Sequence, residues 1–153
     1  MGNYLQSVKE FHKTFKAPIL DTPQIPSIDR CELRVSLLQE ELNELSDAIK
    51  DGDLIEIADA LADLQYVLSG AILEFGMGDK FNDLFNEVQR SNMSKACLTE
   101  KEAIDTLDHY KQKDGTNGYY QRCGDNWLVY REVDNKVLKS INYSPANLKD
   151  ILR

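Results

Sequence analysis

Two short runs of carboxylates carry the chemistry open to this sequence. Glu40, Glu41 and Glu44 stand together, and Glu56, Asp59 and Asp63 follow across a break at Gly52. An α-helix turns about 100° and rises about 1.5 Å per residue, so Glu56, Asp59 and Asp63, spaced i, i+3, i+7, share one face. Val35, Leu38, Leu42, Leu45 and Ile49 step alternately by 3 and 4, an apolar seam that calls for a partner helix. On the same wheel Glu41 sits roughly 80° off the seam, in line with Leu37 and Ala48, with Glu44 further round and Glu40 near the back. Carboxylates are rarely buried unless paired or bound to a cation. Oxygen-only ligands, with no His or Cys nearby, favour Mg²⁺, with Mn²⁺ as the alternative, over Zn²⁺.

The elements must bring the two runs together. Lys50-Asp51-Gly52-Asp53 reads as a tight connection, with Gly52 ending one helix and Asp53 capping the next, Glu56 standing three residues on. So short a link makes the two helices antiparallel neighbours. Counted from it at about 1.5 Å per residue, Glu44 lies ~12 Å up one helix and Asp59 ~9 Å up the other, with Glu41 and Asp63 both near ~15 Å. The clusters come out level. Apart from its acidic stripe the second helix is apolar nearly all round, from Ile57, Ala60, Leu61 and Leu64 to Ile72 and Phe75, as buried helices are.

Glu40-Glu41-x-x-Glu44 followed by Glu56-x-x-Asp59 resembles the E-E-x-x-E … E-x-x-D signature of the all-α nucleoside triphosphate pyrophosphohydrolases. That group includes MazG-like proteins, phosphoribosyl-ATP pyrophosphohydrolases and dimeric dUTPases. Arg90-Ser-Asn92-Met-Ser-Lys95 resembles the family's substrate-side segment, and Asn142-Tyr-Ser-Pro145 its closing segment. The resemblance covers residues 3–95 and resumes over 130–148. It implies a mainly α antiparallel helical bundle, a metal site at Glu41, Glu44, Glu56, Asp59 and Asp63, and Glu40 or Glu41 as the base activating water. Asn92, Lys95 and Arg90 would contact nucleotide. His12, in Phe11-His-Lys-Thr-Phe15, would help wall the pocket, against the plainer reading of a core histidine. The implied reaction is attack at the α-phosphorus of a nucleoside triphosphate, releasing a monophosphate and pyrophosphate in a nucleotide-pool house-cleaning role, by a homodimer or homotetramer. Phosphoribosyl-ATP hydrolysis and a non-catalytic nucleotide or metal sensor are the alternatives. A di-iron bundle would need Glu-x-x-His, and no His lies between His12 and His109.

Composition bounds the rest. With 153 residues, 42% hydrophobic and 29% charged, the chain can bury a full core. A net charge of −8 disfavours polymeric nucleic acid and acidic membranes. Three widely spaced cysteines without C-x-x-C, no apolar run of membrane length and no leader suggest a reduced, cytoplasmic protein. Tyr4, Val8, Phe11 and Phe15 predict a first helix, and Pro18, Pro23 and Pro26 a linker. Asp29, Arg30, Glu32 and Arg34 read as a solvated start to the next helix. The division expected is residues 1–95 for the bundle and 96–153 for a small α+β extension. In that extension Thr99 to Glu102 caps a helix to about Lys113, a hairpin spans 119–133 with aromatic faces, and Ser144 and Pro145 open a last helix.

Overall fold

The computed structural model describes residues 4–153, with six helices and one two-stranded antiparallel sheet among them. The mainly helical fold with a small α+β appendage is what the sequence implies. Two compact units divide after Phe81, the opening residue of the fourth helix. The sequence-based line after Lys95 marks instead where the family resemblance breaks off.

In the first unit α1 (Tyr4–Phe15) is followed by the long α2 (Ile28–Asp51) and α3 (Leu54–Glu74). The α2–α3 turn forms for the reasons read from the sequence. Gly52 takes φ 70°, a left-handed conformation that costs glycine little, and Asp53 accepts from the Ile55 and Glu56 amides at 2.9 and 3.2 Å. The Glu56 carboxylate is left out of the cap.

The inward stripe of α2 takes only part of the apolar seam: Leu38 and Leu45 are half-buried on it. Arg34 and Ala48 are the buried residues of α2, and Glu41 lies between them at seven-residue spacing. Val35, Leu42 and Ile49 stay 67, 50 and 58% exposed. The stripe is shifted round the helix towards Arg34 because α3 offers a buried carboxylate to that residue. Glu74 is only 1% exposed and takes the guanidinium groups of Arg34 and Arg30. The mixed charges at the start of α2, expected to be solvated, are thus partly core. Arg34 fits because Gly70 has no side chain: a Cβ there would stand 2.7 Å from Arg34 Nη1. The proline-rich linker then runs along the C-terminal end of α3, where Leu20 N–H donates to Leu73 O at 3.1 Å and Gln24 N–H to Phe75 O at 3.2 Å.

The second unit contains α4 (Phe81–Met93), α5 (Glu100–Asp114), β1 (Gly118–Cys123), β2 (Asn126–Arg131) and α6 (Leu148–Leu152). Thr99 caps α5 by accepting from the Glu102 amide at 3.1 Å. The buried Glu102 carboxylate reaches one residue further back than a standard capping box, to Leu98 N–H at 3.0 Å, and also holds the Ser140 hydroxyl. Tyr120 pairs with Val129 and Arg122 with Trp127 across the hairpin. One hairpin face, with Val129, Tyr120 and Trp127, closes over Cys97, Ala103 and Leu107 as this unit's core. On the other, Tyr119 stacks on Tyr130 at 5.4 Å. Residues 136–138 extend the sheet through a Tyr130–Val137 bridge and a Leu138 N–H to Val129 O bond of 2.8 Å. The closing helix starts later than expected. Its N-cap is Asn147, because Arg90 holds Ser144 Oγ and Pro145 O at 3.0 Å each and Glu87 accepts from Asn147 N–H at 2.8 Å, keeping 144–147 out of the helix.

Candidate functional site

Of the six carboxylates singled out in the sequence, four act on a fifth. Burial first, then the charges of Glu44, Asp63, Glu40 and Asp59 in that order, push the Glu41 carboxyl above its ordinary value. The charges that reach this carboxyl come from α2 and α3 alike. Glu41 is half-buried, whereas Glu40, Glu44, Glu56, Asp59 and Asp63 are exposed. Its position on the inward stripe of α2 explains both effects, since that stripe partly shields the carboxylate and sets it near the acids of α3.

Next to it opens a cleft of ≈ 430 Å³ lined by Glu44, Asp47, Asp51, Asp53, Glu56 and Asp59, with Ala48 and Ala60 at its base. Asp47 and Asp51 were not singled out in the sequence. Their signal was available as the continuation of the Glu44 face by one and two turns. Asp47 is already paired with Lys50 at 2.7 Å, and Asp53 is spent on its cap. Among the described residues Glu44, Glu56 and Asp59 have no such commitments. Glu40 lies round the other side of α2, in an open groove with Ile28, Val35 and Gln39. As the side chains lie, no three His, Cys, Asp or Glu among the described residues form a group that could hold a metal ion. The carboxylates feel each other's charge without closing into a ligand shell.

His12 does not face a pocket. It is 3% exposed, its Nδ1 stands 2.8 Å from Pro18 O and its Nε2 3.3 Å from Arg34 Nη2. A carbonyl only accepts, so Nδ1 carries the proton and Nε2 accepts from the guanidinium. The histidine is a core strut joining α1, the linker and α2. α1 docks with this side inward, leaving the neighbouring Phe11 outside against Tyr66, edge to face at 5.6 Å, which is the arrangement of the plainer core reading. The buried set of His12, Arg34, Glu74 and Arg30 was missed in the sequence. Nothing local pairs Glu74 with a residue 40 positions earlier, and a lone Glu on an apolar helix was its one signal.

The remaining predicted residues lie in the second unit. Arg90 grips Glu87 through two bonds of 2.7 Å besides its contacts to 144–145, so its guanidinium is committed to tying the closing segment down. Lys95 Nζ donates to Asn92 Oδ1 at 2.8 Å, both at the end of α4.

Residues 8–92, more than half of the chain, match the family model described as phosphoribosyl-ATP pyrophosphohydrolase. The chain belongs to this family. The match spans α1 to α4, so the acid-bearing hairpin lies wholly inside it. It makes the chain a member of the all-α pyrophosphohydrolase superfamily and supports a hydrolase of the pyrophosphohydrolase type acting on a nucleotide. A protein of Acanthamoeba polyphaga mimivirus, described only as uncharacterized, is 26% identical over 98% of this chain and 95% of its own length. No helix among the described residues is long and apolar enough to cross a membrane.

Proposed function

We propose that the chain is a divalent-metal-dependent nucleoside triphosphate pyrophosphohydrolase that cleaves between the α- and β-phosphates to give a nucleoside monophosphate and pyrophosphate. One observation carries this reading: acids of two adjacent helices joined by a tight turn, Glu44 from one and Glu56 and Asp59 from the other, line one cleft inside the segment that matches the family model. Unscreened like charges at short range cost on the order of 1 kcal/mol or more per pair, and a fold keeps them together where a cation offsets the cost. The donor set fits Mg²⁺ or Mn²⁺, being all oxygen, with Glu41, Glu44, Glu56, Asp59 and Asp63 as the residues that would hold it. When bound, such an ion supplies charge neutralisation at the phosphate and a more acidic water.

The chain's own residues do the rest. Glu41, half-buried and set among acids of both helices, is the residue this reading assigns to accept the proton from water. Glu40, exposed on the far side of α2, acts on the site through its charge. The cleft walls of Glu44, Glu56 and Asp59 repel a bare polyphosphate, so substrate enters as its metal complex.

The test is pyrophosphate release from a panel of nucleoside triphosphates and phosphoribosyl-ATP with and without divalent cations. Turnover should need the cation and fall by about 10²-fold or more in Glu41→Gln and Asp59→Asn, on the scale of other removed charge-stabilising groups. Folded variants with unchanged turnover sink the assignment. Nucleotide binding with no turnover by the wild type establishes the sensor instead.

Self-association belongs to the same reading. Ile28, Val35, Leu42 and Ile49 on α2, and Leu54, Leu61 and Leu68 on α3, form two exposed ridges at seven-residue spacing. By the helical wheel both are turned about 80–100° from the α2–α3 contact, on the face of the hairpin opposite α1 and the acids. Parallel apolar ridges on a helical hairpin suit a second copy of the same hairpin, the four-helix arrangement.

A further inference from the structure

The hairpin of the second unit is covered along one edge and bare along the other. The outer side of β2 is taken up: Trp127 and Cys97 exchange both backbone bonds at 2.8 Å, Val129 O accepts from Leu138 N–H at 2.8 Å, and Arg131 N–H donates to Lys136 O at 2.9 Å. Antiparallel pairs alternate, and the residues facing 127, 129 and 131 are Arg122, Tyr120 and Gly118. These three therefore turn their own N–H and C=O groups outward on β1, where no group among the described residues takes them up. A bare strand edge is ordinarily guarded by Lys, Pro, a bulge or shortness. β1 has six residues with no Lys, no Pro and an unbroken ladder, and its one charge, Arg122, is bent back on Gly124 O at 3.1 Å.

The helix above sets what lies beside that edge. The Tyr120 hydroxyl donates to Glu100 at 3.0 Å, and a Cβ on Gly118 would stand 2.8 Å from Leu107 Cδ2, so the flank of α5 bearing Glu100 and Leu107 overhangs β1. Ile104 is on that flank, within ~60° of both on the helical wheel, and is 42% exposed.

We propose that β1 pairs antiparallel with β1 of a second copy, about a two-fold axis at Tyr120. In that register Gly118 lies opposite Arg122 of the second copy and Tyr120 opposite Tyr120, and the outward amides and carbonyls bond reciprocally, as an isologous contact demands. Charge favours this occupant. The chain carries a net charge of −8, so copies repel, yet residues 117–123 hold no acid and their single cation meets a residue without a side chain. The same axis turns the Ile104 flanks of the two α5 helices toward each other, and an exposed apolar side chain is covered by its own image. The contact uses no residue of the acidic hairpin and none of the α2 and α3 ridges. It holds or fails apart from the hydrolase reading and from association through those ridges.

Disulfide trapping of the full chain tests the register. A two-fold at Tyr120 sets residue 117 opposite Cys123 of the second copy as a non-hydrogen-bonded pair, whose Cα separation near ~4.5 Å suits a disulfide. Within one chain the two positions are ~20 Å apart along the strand, too far to bridge. Cys123 is exposed. Asn117→Cys should give a covalent dimer under mild oxidation, and Asn117→Cys/Cys123→Ser should give none. Adding Arg122→Pro removes a donor that the hairpin does not use, and should slow trapping by about tenfold because each copy loses one hydrogen bond. In the unmodified chain the Tyr120 and Arg122 amides should exchange more slowly as concentration rises. No covalent dimer from Asn117→Cys, or undiminished trapping in a folded Arg122→Pro variant, overturns the proposal. So does protection of those amides that ignores concentration, the mark of a different strand on the edge.

Discussion

Glu74 shows how one residue decides where a surface is buried. Burial works to raise its carboxyl, but hydrogen bonds from Arg30 and Arg34 outweigh it and the group is held below its ordinary value. It therefore stays ionised against two guanidinium groups, with Arg30 Nε donating to Oε2 at 3.0 Å. Removing one partner of such a set is worse than never having had it, since the other charges remain buried. Glu74→Gln should cost about 3–5 kcal/mol on that basis, read as a lower midpoint in urea unfolding. A change under about 1 kcal/mol would mean that water already reaches the cluster. Gly70 serves the same set from the other side. Gly70→Ala gains helix propensity but pushes Arg34 Nη1, so it should destabilise by about 1–3 kcal/mol, the ordinary cost of overpacking.

Among the elements, the closing segment is tied down by a titrating group. Glu87 is held at about 2 by the Arg90 guanidinium first and the Asn147 amide second. A carboxyl lowered in the folded state stabilises it fully above the ordinary value near 4.5, and that contribution disappears as pH falls from there towards 2. The C-terminal segment should consequently loosen between about pH 4.5 and 2, visible as faster amide exchange at Asn147. In Glu87→Gln the same amide should exchange faster already at neutral pH and lose this acid dependence. The Pro145 segment forms no helix start for the same reason: Arg90 binds the carbonyl and hydroxyl that a cap would have used.

For the whole molecule the unanswered surface is apolar. Leu42 and Val35 stand half or more exposed in the middle of a 24-residue helix, which for a monomer is a liability and for a self-associating chain is an interface. Leu42→Asp should shift the chain to a smaller species in light scattering at micromolar concentration while leaving its helical content unchanged. If the wild type is a monomer there, the ridges serve something else and the proposed dimer is wrong.

The sequence by itself determined the hairpin and its acids. Gly52, Asp53 and the helix rise place Glu41 and Glu44 level with Asp59 and Asp63 whatever the rest of the chain does, because the information is local and periodic. The same holds for the Thr99 cap and the 118–131 hairpin, each fixed by residues a few positions apart. Tertiary structure decided which stripe of α2 turns inward, that His12 is a strut and Phe11 the exposed ring, and that Glu87, Arg90 and Asn147 displace the start of α6. Those outcomes rest on pairs such as Arg34 with Glu74, 40 residues apart, and Arg90 with Ser144, 54 apart, whose energies no local spacing encodes. A periodic seam shows that a face will be covered; only the ion pair shows how far round the helix that cover is shifted.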